Sequence, residues 1–120
     1  MLESFPRPMI FGHRGACKYA PENTLASFTL AVEQGADAIE LDAKLSIDNQ
    51  VMVIHDQTVD RTTDGKGRVN QLTLRELKEL DAGSFFDEKF RGEKIPTLDE
   101  VFETVGKRTF TNVELTNYAS

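Results

Sequence analysis

Apolar and polar positions alternate along residues 38–45, and this period of two predicts a β-strand. Two shorter runs, at residues 9–12 and 51–54, are continuously apolar, which is typical of strands covered on both faces. A fourth strand is predicted over residues 109–115, where polar residues again alternate with apolar ones. The pattern of a sheet strand therefore occurs four times along the chain.

The segments between these strands carry the signals of helices. Asn23 or Thr24 can cap a first helix whose apolar residues recur on one face, and Gly35 is well placed to end it. Two capping-box patterns, in which a threonine is followed three residues later by a glutamate, predict helices that begin after Thr73 and Thr97.

The order of these elements indicates a fold class. A strand, a helix and a second strand in close succession imply parallel strands joined by a right-handed crossover. We therefore expect an α/β fold with four parallel strands in a single domain over residues 1–120, interrupted by a polar, turn-rich excursion that begins at residues 58–70. In such folds the functional groups lie at the carboxyl ends of the strands.

Composition narrows the class of function. With 120 residues, 39% of them hydrophobic and 28% charged, the chain is typical of one soluble domain with a modest core. Its net charge of −6 disfavours nucleic acid as a partner. The single cysteine, Cys17, favours a reducing compartment, and the first residues lack the pattern of a signal peptide, so a cytoplasmic location is expected. No apolar run approaches the roughly 18 residues of a membrane span.

The alternating strand brings two carboxylates together. Glu40 and Asp42 would point to the same face, where two negative charges repel each other and are costly to bury unpaired. A cation between them would remove that cost, and ligands that are all oxygen suit Mg²⁺ or Ca²⁺. Glu114 on the last strand can supply a third carboxylate, and Lys44 would share the face of Glu40 and Asp42.

Both histidines of the chain follow predicted strands. His13 is followed by Arg14 and Gly15, and His55 is followed by Asp56. Imidazole titrates near neutral pH, so each histidine can act as a general acid or a general base.

Taken in order, these motifs resemble those of the glycerophosphodiester phosphodiesterase family. Five of them follow the family's order: HRG at 13–15, PENT at 21–24, E-x-D at 40–42, HD at 55–56 with DRTT at 60–63, and an acidic strand at 112–115. The similarity spans residues 9–117, and it implies a short family-type insertion at about residues 57–96. One such motif alone would be weak, but the ordered set is highly specific.

The resemblance implies a fold and a reaction. Members of the family fold as TIM barrels of about 250 residues, so this chain would hold the first four parallel strands, or half of a barrel. The reaction implied is metal-dependent hydrolysis of a glycerophosphodiester to glycerol 3-phosphate and an alcohol. The attacking group would be water or the substrate's own glycerol 2-hydroxyl.

The resemblance also implies roles for individual residues. A divalent metal, Ca²⁺ or Mg²⁺, would be held by the carboxylates of Glu40, Asp42 and Glu114. Arg14 would contact the substrate phosphate. His13 and His55 would be the catalytic acid and base. Three further residues would support the site. Glu22 is most simply interpreted as a residue of the loop and helix start. Asn23 could order the loop near the phosphate, and Lys44 could line the site.

Two other interpretations stay open. The chain could be a half-barrel that is inactive alone, binds metal or phosphate, or associates with a second copy into a homodimer that completes a barrel. It could instead belong to a related enzyme of the phospholipase D type that hydrolyses lipid phosphodiesters, although such proteins are typically secreted and disulfide-linked.

Overall fold

The computed structural model describes residues 11–115, in which four strands and three α-helices follow one another. In chain order they are β1 (Phe11–His13), α1 (Leu25–Glu33), β2 (Ala38–Leu45), β3 (Val51–Val53), α2 (Leu74–Lys78), α3 (Leu98–Val105) and β4 (Phe110–Leu115). The strand predicted over residues 38–45 is confirmed at both ends. Met9 and Ile10 of the predicted first strand lie outside the described residues.

Strand β2 is the centre of the sheet. Ala38, its first residue, pairs with β1 on one edge and with β4 on the other, and both pairings are parallel. Near its carboxyl end β2 also pairs with β3, in the antiparallel sense. Since Ala43 pairs with Leu115 of β4 and with Val53 of β3, strand β3 lies on the same edge of β2 as β1, beyond the end of β1.

The prediction of four parallel strands is wrong for β3. Only residues 46–50 connect β2 to β3, and the turn is closed by hydrogen bonds from the Ser46 amide to the Gln50 carbonyl and from the Gln50 amide to the Ser46 hydroxyl, both 2.9 Å. A parallel crossover needs roughly a dozen residues, so a connection this short forms a hairpin. Residues 11–115 therefore contain three parallel strands, in the order β1-β2-β4, and a hairpin arm, which is residues 46–54 and includes β3.

One face of β2 packs against two helices. Ile39 and Leu41 are buried there together with Phe28 of α1 and Val101 of α3. Burying a side chain of this size stabilises the fold by about 1.5–3 kcal/mol. This apolar face fixes the register of the strand, because a shift by one residue would turn its carboxylates into the core.

The helix ends agree with the capping signals. Thr24 caps α1, and the threonines before α2 and α3, Thr73 and Thr97, each form a complete capping box with the glutamate three residues later. Gly35, two residues beyond α1, has a φ of 93°, a left-handed conformation that favours glycine. Gly106 caps the end of α3.

Residues 57–96, called the excursion below, fold over a small core of their own. Val59, Leu77 and Ile95 are buried there against Met52 and Ile54 of the hairpin arm. The regular elements of the excursion are short: helix α2 and two 3₁₀ turns, at Val69–Gln71 and Glu88–Phe90. The hairpin arm is thus shared between the core of the sheet and the core of the excursion.

The two outer parallel strands, β1 and β4, are partly exposed. The first strand was expected to be buried, yet Phe11 of β1 is about half exposed, as is Phe110 of β4, while Gly12 is buried. Among residues 11–115, no helix has both the length and the apolar character that crossing a membrane requires.

Candidate active site

The register of the three parallel strands aligns the acidic residues and one histidine. His13 of β1 and Asn112 of β4 lie on either side of Glu40, and two residues further along Asp42 lies opposite Glu114. Paired residues point to the same side of a sheet, so all five face away from α1 and α3. They line a depression of about 230 Å³.

Lys44 adds a positive charge to this face. Its side chain is buried, and burial lowers the pKa of the ammonium below its ordinary value. The negative charges of Asp42, Asp56 and Glu114 oppose this shift, which shows that Lys44 lies within electrostatic reach of carboxylates from three segments. Lys44 shares the face of Glu40 and Asp42 because β2 continues to Leu45, and its role in lining the site stays a prediction.

Asp42 is the buried member of the acidic set. The Nδ2 of Asn23 donates a hydrogen bond of 3.2 Å to its Oδ2, and the Nε of Arg14 lies 3.6 Å from the same oxygen. Arg14 and Asn23 therefore compensate the charge of Asp42 in this arrangement.

The backbone that presents Arg14 is strained. Arg14 and Asn23 have φ angles of 53° and 57°, in the left-handed region that most residues avoid. The conformation is enforced by hydrogen bonds: the Arg14 carbonyl accepts from the Asn23 amide at 2.9 Å and from the Ser27 hydroxyl at 3.0 Å. Gly15, with a φ of 82°, is required here because a β-carbon would collide with Ser27. Strain of this kind persists where the surrounding structure enforces it, commonly at functional sites.

His55 stands at the end of the hairpin arm, beside Asp56. Its Nδ1 lies 2.9 Å from Oδ1 of Asp56, so this oxygen can accept a hydrogen bond from Nδ1–H. Arg61 donates to both oxygens of Asp56, from Nε at 2.9 Å and from Nη2 at 3.0 Å. These hydrogen bonds, above all those from Arg61, lower the pKa of Asp56 to about 2.

Glu22 connects the arginines. Arg61 donates to both of its oxygens, at 3.0 and 2.9 Å, and Nη1 of Arg14 donates to Oε2 at 3.3 Å. Glu22 is therefore part of a charged network that joins the Arg14 turn to the segment carrying His55, in addition to lying just before helix α1.

Two members of this network, Asp56 and Arg61, were not among the predicted site residues. Both belong to motifs noted in the sequence, HD and DRTT, which was the available signal. The sequence does not indicate that Arg61 pairs with Glu22, because the two residues are 39 positions apart.

The donor set fits a hard cation. Glu40, Asp42 and Glu114 offer carboxylate oxygens on one face, and the buried Oδ1 of Asn23 lacks a hydrogen-bond partner among the described residues. In residues 11–115, however, no group of three or more His, Cys, Asp or Glu side chains is arranged so as to hold a metal ion. The face thus supplies suitable ligands, and side-chain rotation would have to bring them together.

Comparison with known proteins decides the family. Residues 13–120 match the model of the glycerophosphoryl diester phosphodiesterase family. The chain belongs to this family. The resemblance noted in its motifs is thereby confirmed over almost the whole chain.

Relatives within the family cover the chain closely. A glycerophosphodiester phosphodiesterase of Caldanaerobacter subterraneus is 54% identical over 110 residues, which are 91% of this chain and 45% of that protein. The crystal structure of a glycerophosphodiester phosphodiesterase from Agrobacterium tumefaciens superposes with a TM-score of 0.87 at 48% identity, covering 89% of this chain and 46% of that one. A phosphodiesterase from Oleispira antarctica was solved in complex with the product sn-glycerol-3-phosphate. Its structure superposes with a TM-score of 0.89 at 43% identity, covering 92% of this chain and 45% of that one.

These matches also define the fold. The family's structures are TIM barrels, and this chain spans about half the length of the relatives it matches. The half-barrel expectation is therefore confirmed, with the correction that the described part supplies three parallel strands and a hairpin arm.

Proposed function

We propose that this chain carries the metal-binding part of an active site that hydrolyses glycerophosphodiesters to glycerol 3-phosphate and an alcohol. The observation that carries the proposal is the strand register, which aligns Glu40 with His13 and Asp42 with Glu114 on one face. The product bound to the Oleispira antarctica relative supports the substrate class.

In this proposal, Glu40, Asp42 and Glu114 hold Mg²⁺ or Ca²⁺. A bound divalent cation neutralises the negative charge that develops on the phosphate oxygens during hydrolysis. Arg14 adds a second positive charge next to Asp42, where its guanidinium can turn from Glu22 to a phosphate oxygen. Asn23 keeps Asp42 in place through the hydrogen bond from its amide.

The two histidines are proposed as the acid and the base. His13 lies beside Glu40, and His55 has its Nδ1 directed at Asp56, which leaves Nε2 for the substrate. Lys44 strengthens the positive potential beneath the carboxylates. We further propose a cytoplasmic location, which the single cysteine favours.

A second candidate is a self-associated half-barrel. The half-exposed Phe11 and Phe110 on the outer strands favour association along those edges. Two copies would nevertheless bring six of the eight parallel strands of a TIM barrel. A monomeric sedimentation profile at micromolar concentration would reject this candidate.

The test is release of glycerol 3-phosphate from glycerophosphocholine, with Ca²⁺, with Mg²⁺ and with EDTA. The 120-residue chain is assayed beside a version extended to the length of its relatives. We expect turnover that requires the metal, and a loss on the order of 10²–10³-fold in Glu40→Ala, as when one electrostatic stabiliser of a transition state is removed.

The matched control is Glu103→Ala, which removes an exposed glutamate on α3. This variant should retain turnover. The proposal is wrong if turnover persists in EDTA, or if Glu40→Ala is as active as the control.

A further inference from the structure

We propose that Arg61 is a positioning residue, which orients His55 for proton transfer by holding Asp56 and is itself anchored on Glu22. This inference deepens the proposed hydrolysis and rests on it for its functional meaning. Its geometry stands independently of the reaction.

The guanidinium of Arg61 is held between two carboxylates. Its three nitrogens donate four hydrogen bonds of 2.9–3.0 Å, two to Asp56 and two to Glu22. Each carboxylate is contacted through both of its oxygens, the fork-to-fork arrangement that gives an arginine pair its directional precision. Arg61 therefore has a defined orientation although 48% of its side chain is exposed.

The anchor belongs to the segment that carries the other half of the site. Glu22 is 13% exposed and also accepts from Arg14. Its neighbour Asn23 donates its backbone amide to the Arg14 carbonyl and its side-chain amide to Asp42. Glu22 is consequently fixed to the strained turn that follows His13. Arg61 thus ties the segment carrying His55 to the segment carrying His13.

The effect reaches His55 through one shared oxygen. Oδ1 of Asp56 lies 3.0 Å from Nη2 of Arg61 and 2.9 Å from Nδ1 of His55. Because the side chain of His55 is 43% exposed, packing alone does not set the direction of its ring. An aspartate held on its other side by Arg61 can set both the ring direction and the position of the Nδ1 proton.

A merely structural ion pair predicts a different outcome. Replacing Arg61 breaks bidentate pairs with Asp56 and with Glu22, which is only 13% exposed, so some loss of folding stability is expected in either case. A structural role would end there, whereas a positioning role must also change His55 itself.

The experiment compares three variants of the chain. Arg61→Gln removes the charge and the fork. Arg61→Lys keeps the charge but offers a single nitrogen, which cannot contact two carboxylates through both oxygens. The control, Arg91→Gln, makes the same change at another arginine of the excursion, which is 71% exposed and pairs with Glu88 three residues away.

The first readout is nuclear magnetic resonance on the 120-residue chain. In Arg61→Gln the pKa of Asp56 should rise from about 2 toward its ordinary value of 3.8, since Arg61 is the main cause of the depression. The ¹⁵N signal of His55 Nδ1 should lose its hydrogen-bonded character. Arg61→Lys should resemble Arg61→Gln in the ¹⁵N signal of His55, while its charge keeps part of the depression of the Asp56 pKa. Arg91→Gln should match the parent chain.

The second readout is turnover, in whichever chain length is active. We expect kcat to fall about tenfold to a hundredfold in Arg61→Gln, with KM within about twofold of the parent value. This loss is a part of the roughly 10²–10⁴-fold rate acceleration that a positioned acid or base contributes. If His55 signals and kcat in Arg61→Gln equal those of Arg91→Gln, the inference is overturned. If no chain length turns over substrate, the proposed function fails, and the His55 signals still decide whether Arg61 positions that ring.

Discussion

The sheet and the excursion meet at the hairpin arm, yet they are held together in different ways. The sheet is stabilised by a backbone hydrogen-bond ladder and by apolar side chains such as Phe28 and Leu41, buried against two helices. The excursion, residues 57–96, has regular elements of only three to five residues. Most of its backbone therefore needs hydrogen-bond partners from outside a ladder.

Aspartate side chains supply many of those partners. Asp60 accepts from the Gly67 amide at 3.0 Å, and Asp81 accepts from the amides of Gly83 and Ser84 at 2.9 and 3.0 Å. Such bonds replace the regular structure that the segment lacks. The sheet therefore combines apolar burial with a backbone ladder, whereas the excursion combines a small apolar core with hydrogen bonds to ionised carboxylates.

The largest effect should come from breaking the core of the sheet. Leu41→Ala and Leu77→Ala remove the same atoms from two buried positions, one on β2 and one on α2. Replacing a buried leucine by alanine costs about 2–5 kcal/mol. We expect Leu41→Ala to lower the urea midpoint of the whole chain, and Leu77→Ala to accelerate amide exchange mainly within the excursion. Equal loss of protection in both regions from either variant would show a single cooperative core.

A smaller effect should come from the two capping boxes. Thr97→Ala and Thr73→Ala each remove a cap whose hydroxyl accepts from the amide three residues on, at a cost of about 1 kcal/mol. Helix α3 packs on the sheet, so Thr97→Ala should lower the melting temperature. Thr73→Ala should act mainly on exchange in the excursion. Thr97→Ser, which keeps the hydroxyl, serves as the control, and a loss as large as that of alanine would exclude capping as the cause.

The smallest effect should appear in acid. Hydrogen bonds, first from the Ser84 hydroxyl and then from the Gly83 amide, lower the pKa of Asp81 to about 2 from its ordinary 3.8. A carboxylate whose pKa is lower in the folded state than in the unfolded state stabilises the fold at pH values above its unfolded-state pKa. This contribution is lost as the pH falls through the folded-state pKa. The amides of Gly83 and Ser84 should therefore lose protection from exchange between about pH 4 and pH 2.

Sheet amides provide the comparison for this acid effect. The amide of Leu41 should keep its protection over the same range, and Asp81→Asn should weaken the pH dependence at Gly83. A parallel loss at Leu41 and Gly83 would contradict the distinction between the two regions.

Local patterns predicted the local structure well. Strand β2 was predicted at both ends because alternation, burial and register all act within eight residues. The capping boxes at Thr73 and Thr97 were read correctly for the same reason, since donor and acceptor lie three residues apart.

The rest required information that the local pattern does not contain. The apolar run of β3 indicates a strand but not its direction, which is decided by the short turn at residues 46–50. The pairing of Glu22 with Arg61 depends on two loops meeting across the fold. The contact between these loops depends on how the whole fold packs, and no periodic pattern in the sequence predicts it.

The two faces of β2 have a consequence for protein engineering. Positions 39 and 41 face the helices, and positions 40 and 42 face the candidate site. Adjacent residues of β2 therefore affect different properties, the first pair the stability of the fold and the second pair the site. A library that varies the first pair can be screened for soluble yield, and a library that varies the second pair can be screened for a new substrate. Because the two sets lie on opposite sides of one backbone, improved members of each can be recombined within a single short oligonucleotide.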